Sequence, residues 1–225
     1  MRRIETNHGG YTINEYEVEI SQEMRNKALA FASKIKLDDN QYDRLIPREY
    51  QIEPGDDQQT IRNKARLILK YTIQRTYVGK LGELAFLVLL NEKRLACNTD
   101  GMFRIFEGQE NVDNFDFITA SNEIIDVKTG FRSNHSRLLV NRDQFDRHPK
   151  QYYVGVKLNA RDVQGDDRLI EWDSVETAVI KGYAERTFLQ GLQYRNYGEG
   201  PAKAVEYNRL MGIDRLLGGF NPLGT

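Results

Sequence analysis

The sequence predicts an α/β fold, in which helices pack against a β-sheet. Two observations lead to this prediction. Helical and strand-like hydrophobic patterns alternate from about residue 58 to residue 158, and such alternation is typical of helices that cover a sheet. Hydrophobic residues make up 40% of the 225-residue chain, which is enough to form a core. This length suits one domain with an extension, or two small lobes.

The N-terminal residues are expected to form a strand and a helix. Residues 16–20 alternate between polar and apolar side chains, which is the pattern of a half-buried strand. A helix is expected from Ser21, a good N-cap residue, to Lys36. Residues 37–51 are polar and rich in turn formers, and residues 54–57 are expected to form a loop.

Two helices are expected next, one from about Gln58 to Tyr77 and a second after Gly79, which would break the pattern. The second helix contains the longest apolar run of the chain, residues 84–90, which is too short to cross a membrane. Glu83 lies on the apolar stripe of this helix, so its carboxylate needs a partner. The helix N-terminus, Lys80 on the preceding turn, or a metal or lysine in a cleft could each provide one.

A β-hairpin is expected from residues 115–118 and 124–130, joined by a turn at 119–123. Alternate residues of a strand point to the same face, so Asp126 and Lys128 would lie side by side. A surface salt bridge is the simplest interpretation of that pair alone. Asp116 can share this face if the register allows, whereas Asp113, the competing candidate, lies in a loop-like stretch.

The remaining elements complete the α/β pattern. Strands are expected at residues 138–140, 152–158 and 175–180, and the second of these would be central in the sheet. A short helix is expected at residues 143–149, where Pro149 would end it. Another short helix would follow the strand at 175–180, and residues 201–217 are also expected to be helical.

The order of these acidic residues resembles the PD-(D/E)XK nuclease superfamily. Residues 82–85 resemble its acidic helical motif, Asp116 its second motif, and residues 126–128 its (D/E)-x-K motif. Phe115 stands where the family name has proline, a residue that performs no chemistry. The resemblance covers residues 79 to about 158. It implies a restriction-endonuclease-like α/β/α core with a mixed central sheet.

The resemblance also implies a Mg²⁺-dependent nuclease that hydrolyses phosphodiester bonds, with Mn²⁺ as an alternative metal. Asp116, Asp126 and the backbone carbonyl of Val127 would bind the metal, because hard cations prefer oxygen ligands. Lys128 would orient the attacking water and stabilise the developing negative charge. Glu83 would complete the metal shell, directly or through water, or hold Lys128 in place.

Several biological roles fit this resemblance. A restriction or phage-defence endonuclease is one, and a structure-specific nuclease such as a junction resolvase is another. DNA is the expected substrate in preference to RNA, and a C2 homodimer would supply two active sites. The alternatives are a non-catalytic nucleic-acid-binding or structural member of the same fold, and an unrelated α/β domain whose acids share this order by chance.

Positive charge is concentrated next to the expected site. Residues 128–150 contain six lysines and arginines against two acids, which predicts a surface for the DNA backbone. This surface, called the basic strip below, comprises Arg132, Arg137, Arg142, Arg147 and Lys150. Gln144 resembles the polar residue that some family members place near the scissile phosphate. Ordinary solvated side chains are the alternative interpretation, and it is the preferred one for Gln144.

Composition excludes other classes of protein. A net charge of −1 gives no global basic field, so any nucleic-acid surface must be local. The single Cys97 excludes an internal disulfide and fits a reducing compartment, and three scattered histidines argue against zinc. No apolar segment follows Arg2-Arg3, so a cytoplasmic protein without a membrane partner is expected. One globular unit is expected, with an extension at 1–56, the core at 57–185 and a C-terminal helical segment at 186–225.

Overall fold

The computed structural model describes residues 1–8, 10–35, 46–105, 117–161, 168–198 and 200–224. These ranges contain nine strands, namely β1 (Arg2–His8), β2 (Tyr11–Glu19), β3 (Phe117–Ile118), β4 (Ile124–Gly130), β5 (Arg137–Asn141), β6 (Tyr152–Ala160), β7 (Val175–Glu185), β8 (Arg195–Asn196) and β9 (Pro201–Glu206). They also contain five α-helices, namely α1 (Gln22–Ala32), α2 (Gln58–Glu92), α3 (Arg142–Arg147), α4 (Arg186–Gln190) and α5 (Ile213–Leu217). Two 3₁₀ turns lie at Arg48–Tyr50 and Tyr207–Arg209.

Six of the strands form one mixed sheet in the order β1-β2-β7-β6-β4-β3. Its neighbouring strands are antiparallel except for β4 and β6, which are parallel. The other three strands form a small antiparallel sheet in the order β5-β9-β8. The chain is therefore mixed α/β, as predicted, and β6 has the predicted central position. The strand predicted at residues 138–140 exists as β5, but it belongs to the small sheet.

The large sheet has a hydrophobic core on each face. On one face, Val127 of β4 packs in the same cluster as Leu81 and Phe86 of α2. On the opposite face, Tyr153 of β6 shares a cluster with Val205 of the small sheet. Because side chains alternate along β4, this strand presents one set of residues to α2 and the other set to the small sheet.

Helix α2 continues through 35 residues, so the prediction that Gly79 ends a helix is wrong. A glycine costs a helix about 1 kcal/mol relative to alanine. The turns on both sides of Gly79 are anchored in the core, with Tyr77 and Leu81 both 0% exposed, and such packing outweighs the propensity cost. The helix begins after Asp57, whose side chain accepts the Thr60 backbone N–H at 2.7 Å. Glu83 therefore lies too far from the helix N-terminus to be stabilised by it.

The C-terminal segment also corrects a prediction, because most of residues 201–217 are not helical. Pro201–Glu206 form β9, and the α-helix in this segment is limited to Ile213–Leu217. Strand β9 lies between β5 and β8, and its partner β5 is about 60 residues earlier in the chain. This long-range pairing decides the conformation, and no local pattern reports it.

The N-terminal strand and helix are confirmed. The Ser21 hydroxyl caps α1 by accepting the Met24 backbone N–H at 3.2 Å. The helix ends at Ala32, earlier than expected, and Lys36 lies outside the described residues. Strand β1 was not expected; it pairs with β2, which joins the large sheet through β7.

The hairpin predicted in the middle of the chain is present where the structure describes it. Phe117 and Ile118 of β3 pair with Ile125 and Ile124 of β4 in antiparallel register. The short helix predicted at residues 143–149 corresponds to α3. Across the described ranges, no helix is both long enough and apolar enough to cross a membrane.

Candidate active site

Asp126 and Lys128 lie side by side on one face of β4, as the alternation predicts. The lysine Nζ is 2.6 Å from Asp126 Oδ2, and the two side chains are 19% and 17% exposed, respectively. Between and beside them, Ile125 and Val127 point to the opposite face and are 0% and 9% exposed. The apolar face therefore anchors the strand, and the two charged side chains on the other face are partly exposed.

Gln144 completes this group from a different element. Lys128 Nζ donates a hydrogen bond to Gln144 Oε1 at 2.9 Å. Gln144 lies on α3, whose first turn is capped by Asn141 through a 3.0 Å hydrogen bond from the Asp143 backbone N–H. The lysine is thus held between two oxygen acceptors from separate elements, which restricts the position of its ammonium group.

The tyrosine next to Asp126 supports the position of α3. Tyr153 is the register partner of Asp126 on β6, and its ring lies 6.2 Å from that of Phe145, the residue after Gln144. Tyr153 is only 1% exposed. A packed aromatic pair therefore joins α3 to the large sheet directly beneath the polar group of Asp126, Lys128 and Gln144.

Glu83 is positioned by a helix on the other face of the sheet. Gly82 packs against Thr129, and a Cβ at Gly82 would be 1.9 Å from Thr129 Oγ1. Thr129 alternates with Lys128, so α2 covers the face opposite to the lysine side chain. The Glu83 carboxylate pairs with Lys80 Nζ at 2.8 Å. The structure therefore shows the partner on the preceding turn, one of the sequence-based alternatives, and the role of Glu83 in metal binding stays a prediction.

Lys80 is an unusual partner because its side chain is 0% exposed. Its Nζ lies 4.8 Å from the ring centre of Phe31 on α1 and 5.7 Å from that of Phe103. A buried ammonium requires an anion and favourable dipoles to offset its desolvation. Glu83 supplies the anion, and the aromatic faces add cation–π attraction.

Asp116, a predicted metal ligand, lies outside the residues that the structure describes. Asp116, its competitor Asp113 and the preceding Phe115 all fall within residues 106–116, which the structure does not describe. Among the described residues, no three or more His, Cys, Asp or Glu side chains group together in a way that could hold a metal. At the described part of the site, Asp126 and Gln144 contribute oxygen donors of the kind that Mg²⁺ prefers.

The basic strip begins beside this group. Arg142 and Arg147 lie on α3, the helix of Gln144. The Arg142 side chain is 57% exposed, and its guanidinium lies 3.7 Å from Asp146 and 5.0 Å from the ring centre of Tyr194. Burial is the main reason why the pKa of Tyr194 is raised to about 12, and the hydrogen bond to Asp146 is the second reason. The phenol is therefore protonated at neutral pH, and it donates that hydrogen bond at 2.5 Å.

The remaining members of the strip lie on β5 and in the adjoining segments. Arg137 forms an ion pair with Glu206 on β9 and lies 5.6 Å from the ring centre of Tyr197. The Lys150 backbone N–H donates to the Tyr153 hydroxyl at 3.1 Å. Arg132 lies two residues after the end of β4 and is partly exposed. The strip is therefore divided between α3, β5 and the segments next to β4 and β6.

His135 also lies at this site, although its sequence position did not identify it. A Cβ at Gly130 would be 3.0 Å from both the Cβ and the Nδ1 of His135. Gly130 follows Lys128 by two residues on the same face of β4, so the imidazole lies next along the strand from the lysine. The signal available in the sequence was the glycine, which leaves room for a ring directly over the strand.

Comparisons of the chain with models of protein families, with curated proteins and with solved structures give no match.

Proposed function

We propose that this chain is a metal-dependent nuclease of the restriction-endonuclease-like class that hydrolyses phosphodiester bonds in DNA. The observation that supports the proposal is the paired Asp126 and Lys128 on one face of β4, with Gln144 bonded to the same lysine. A carboxylate and an ammonium on a rigid strand can bind a cation and orient a water molecule next to each other. Their apolar neighbours on β4 hold that spacing fixed.

Lys128 would be the residue that positions the attacking water. Its ammonium has three N–H donors, and the described contacts with Asp126 and Gln144 occupy two of them. The third would donate to a water molecule or to a phosphate oxygen. Because the first two bonds restrict the side chain, little further ordering is needed when substrate binds.

Asp126, which is among the residues that the structure describes, would bind Mg²⁺ or Mn²⁺ through its carboxylate. Asp116, the Val127 carbonyl and Glu83 are the other proposed ligands, and all of them offer oxygen, which suits a hard cation. Glu83 pairs with Lys80 on the helix that covers the opposite face of the sheet, so it is not placed to ligate the metal directly, and any contribution from it would be through water. When bound, the metal would lower the pKa of a coordinated water and offset charge on the phosphate.

The basic strip would bind the DNA backbone beside these residues. Arg142 and Arg147 come from the same helix as Gln144, so a strand contacting them would pass next to Lys128. Duplex cleavage would be achieved by a C2 homodimer with one active site for each strand. The rival function is a non-catalytic nucleic-acid-binding protein in which Asp126 and Lys128 form only a salt bridge.

The test is cleavage of supercoiled, linear and single-stranded DNA in Mg²⁺, Mn²⁺ or EDTA. We expect metal-dependent nicking or cutting by the wild-type protein and a loss of about a hundredfold or more in both Asp126→Asn and Lys128→Ala. Calorimetric Mg²⁺ titration should separate the two roles. Lys128→Ala should keep its metal affinity, whereas Asp126→Asn should lose it, because a neutral amide is a poor ligand for a hard cation.

A matched control is available on α1. Lys27 and Glu23 form an exposed ion pair of the same length, 2.6 Å, so Lys27→Ala removes a lysine from a similar pair far from β4. This variant should cleave like the wild type. Absence of cleavage with every metal and substrate would refute the nuclease proposal, and so would full activity in Asp126→Asn.

A further inference from the structure

Lys203 of β9 is a buried cation whose partners carry no formal charge. The residue is 4% exposed, and its Nζ donates to the backbone carbonyls of Leu192 at 2.6 Å and Gln190 at 3.4 Å. Among the described residues, its contacts include no carboxylate. A buried ammonium loses its hydration, so oriented carbonyls and aromatic rings have to replace the water. The position of this cation is therefore fixed by neutral groups from neighbouring elements.

Two aromatic rings complete the surroundings of this ammonium. Lys203 Nζ lies 4.9 Å from the ring centre of Phe145 and 4.5 Å from that of Tyr194. Phe145 belongs to α3, and the Tyr194 hydroxyl donates a hydrogen bond to Asp146 of the same helix. Lys203 is therefore connected to α3 in two ways, directly through Phe145 and indirectly through Tyr194.

Helix α3 needs such contacts because it is short. It has six residues, and isolated helices of fewer than about 12 residues are marginal in water. Asn141 caps the helix, and the residue before this cap, Val140, is the register partner of Lys203. Lys203 therefore lies beside the strand residue that leads into α3, and its ammonium contacts Phe145 one turn later.

We propose that Lys203 is a positioning residue of the active site, which holds α3 so that Gln144 accepts the hydrogen bond from Lys128. Gln144 directly precedes Phe145, and its Oε1 lies 2.9 Å from Lys128 Nζ. This inference deepens the proposed function and rests on it for the role of that hydrogen bond in cleavage. The described contacts of Lys203 do not include Asp126 or Lys128, so its effect has to pass through Gln144.

Two substitutions separate the charge of Lys203 from its volume. Lys203→Met keeps an unbranched side chain but has no charge and no hydrogen-bond donor. It leaves no buried carboxylate without a partner, so it should fold. Lys203→Arg keeps the charge, and a guanidinium can both stack on rings and donate to carbonyls. Melting temperatures of both variants identify any loss of folded protein.

Two measurements are made on each variant. Mg²⁺-dependent cleavage of supercoiled DNA gives the rate. ¹H–¹⁵N NMR gives the side-chain amide signal of Gln144, which is assigned from its absence in Gln144→Ala. Lys128→Ala supplies the position of this signal without the hydrogen bond. The signal reports on the Gln144 side chain itself, so a general loss of stability does not reproduce its shift.

We expect Lys203→Met to cleave about tenfold more slowly, because displacing a catalytic contact by part of an ångström has effects of this order. Its Gln144 signal should move toward the position seen in Lys128→Ala. Lys203→Arg should cleave within about threefold of the wild-type rate and keep the wild-type signal. In a Gln144→Ala background, Lys203→Met should slow cleavage by less than about twofold, because both substitutions act on the same contact.

A control and a second pair of variants guard against a folding defect. Lys70 on α2 also lies near an aromatic ring, with its Nζ 5.8 Å from the ring centre of Trp172, so Lys70→Met should leave both the rate and the signal unchanged. Tyr194→Leu removes one ring from the cation at a partly exposed position, and it should move the Gln144 signal in the same direction as Lys203→Met. Tyr194→Phe keeps the ring and should move the signal less.

Three results would overturn the positioning role. The first is an unchanged rate and signal in Lys203→Met, and the second is equal loss in the Met and Arg variants. The third is a full tenfold effect in the Gln144→Ala background, since the effect would then bypass Gln144. Failure of the nuclease proposal looks different. If the wild-type protein never cleaves, while the Gln144 signal moves in Lys203→Met but not in Lys203→Arg, the positioning stands and the catalysis is refuted.

Discussion

Gly82 should be one of the least replaceable residues of this protein, because it is where α2 contacts β4. A Cβ added there would lie 1.9 Å from Thr129 Oγ1, 3.0 Å from its Cβ and 3.1 Å from its Cγ2. Rotation of the threonine does not remove the conflict, since a β-branched side chain keeps Cβ in place and has two atoms in the γ position. Either the helix or the strand has to move.

The cost of Gly82→Ala can be estimated from two opposing effects. Overpacking a well-filled core costs about 1–3 kcal/mol, and a contact as short as 1.9 Å places this site at the upper end. Alanine is better than glycine in a helix by about 1 kcal/mol. The net loss should be about 2 kcal/mol, which lowers the melting temperature of a domain of this size by roughly 4–8 °C.

Gly79 is a matched control in the same helix. A Cβ at this position would meet nothing within 4 Å, so Gly79→Ala should gain helix propensity without a clash. We expect it to be more stable than the wild type by about 0.4–1 kcal/mol. Thermal melts and urea titrations of the two variants measure the difference between them.

A double substitution tests whether Thr129 causes the cost. Thr129→Ala removes the atom at 1.9 Å, so Gly82→Ala should destabilise this background less than the wild type. A coupling energy near zero in this double-mutant cycle would mean that the close contact is unimportant. Equal or higher stability of Gly82→Ala on its own would refute the packing argument altogether.

Two further predictions concern buried groups. Lys80→Met should lower the free energy of unfolding by about 3–5 kcal/mol, because it removes the cation beside the buried Glu83 carboxylate. Adding Glu83→Leu should recover most of this lost stability, as measured by urea titration. Equal stability of the single and double variants would contradict the prediction. Burial raises the pKa of the Cys97 thiol to about 11, so the reactive thiolate should be scarce at pH 8 and should increase only as the pH approaches that value. Iodoacetamide should therefore label the native protein far more slowly than the urea-unfolded chain at pH 8, and equal rates would count against the prediction.

Strand periodicity predicted the central part of the site. The two-residue repeat places Asp126 and Lys128 on one face whatever the strand pairs with, so no tertiary information was needed. The short strand–turn–strand spacing similarly predicted the β3–β4 hairpin. Ser21 was identifiable as an N-cap because that interaction is formed within a single turn of helix.

Long-range contacts explain what the sequence did not predict. Gly79 has the local character of a helix breaker, but Tyr77 and Leu81 anchor the adjacent turns in the core. The helical pattern after Pro201 was overridden by pairing of β9 with β5. His135 came to the site through a five-residue excursion of the chain, and only the packing over Gly130 identifies its position.

The pairing of β2 with β7 affects the order in which the chain can fold. These two neighbours are separated by more than 150 residues, so the N-terminal hairpin cannot join the large sheet until residues 175–185 have been made. At 5–20 residues per second, β7 follows β2 from the ribosome after roughly 8–30 s. During this interval the apolar residues Tyr16 and Val18 of β2 have no native partner on β7.

The C-terminal residues prolong this delay. Tyr16 donates a hydrogen bond to Asp214 at 2.6 Å across 198 positions, and the Leu223 backbone N–H donates to the Arg94 carbonyl at 2.7 Å. Native contacts between residues so far apart in the sequence slow folding, because the entropy of closing the loop is lost before the stabilising contacts form. Folding of the large sheet should therefore be completed only after the residues up to Leu223 have been made, when β1 and β2 dock against β7.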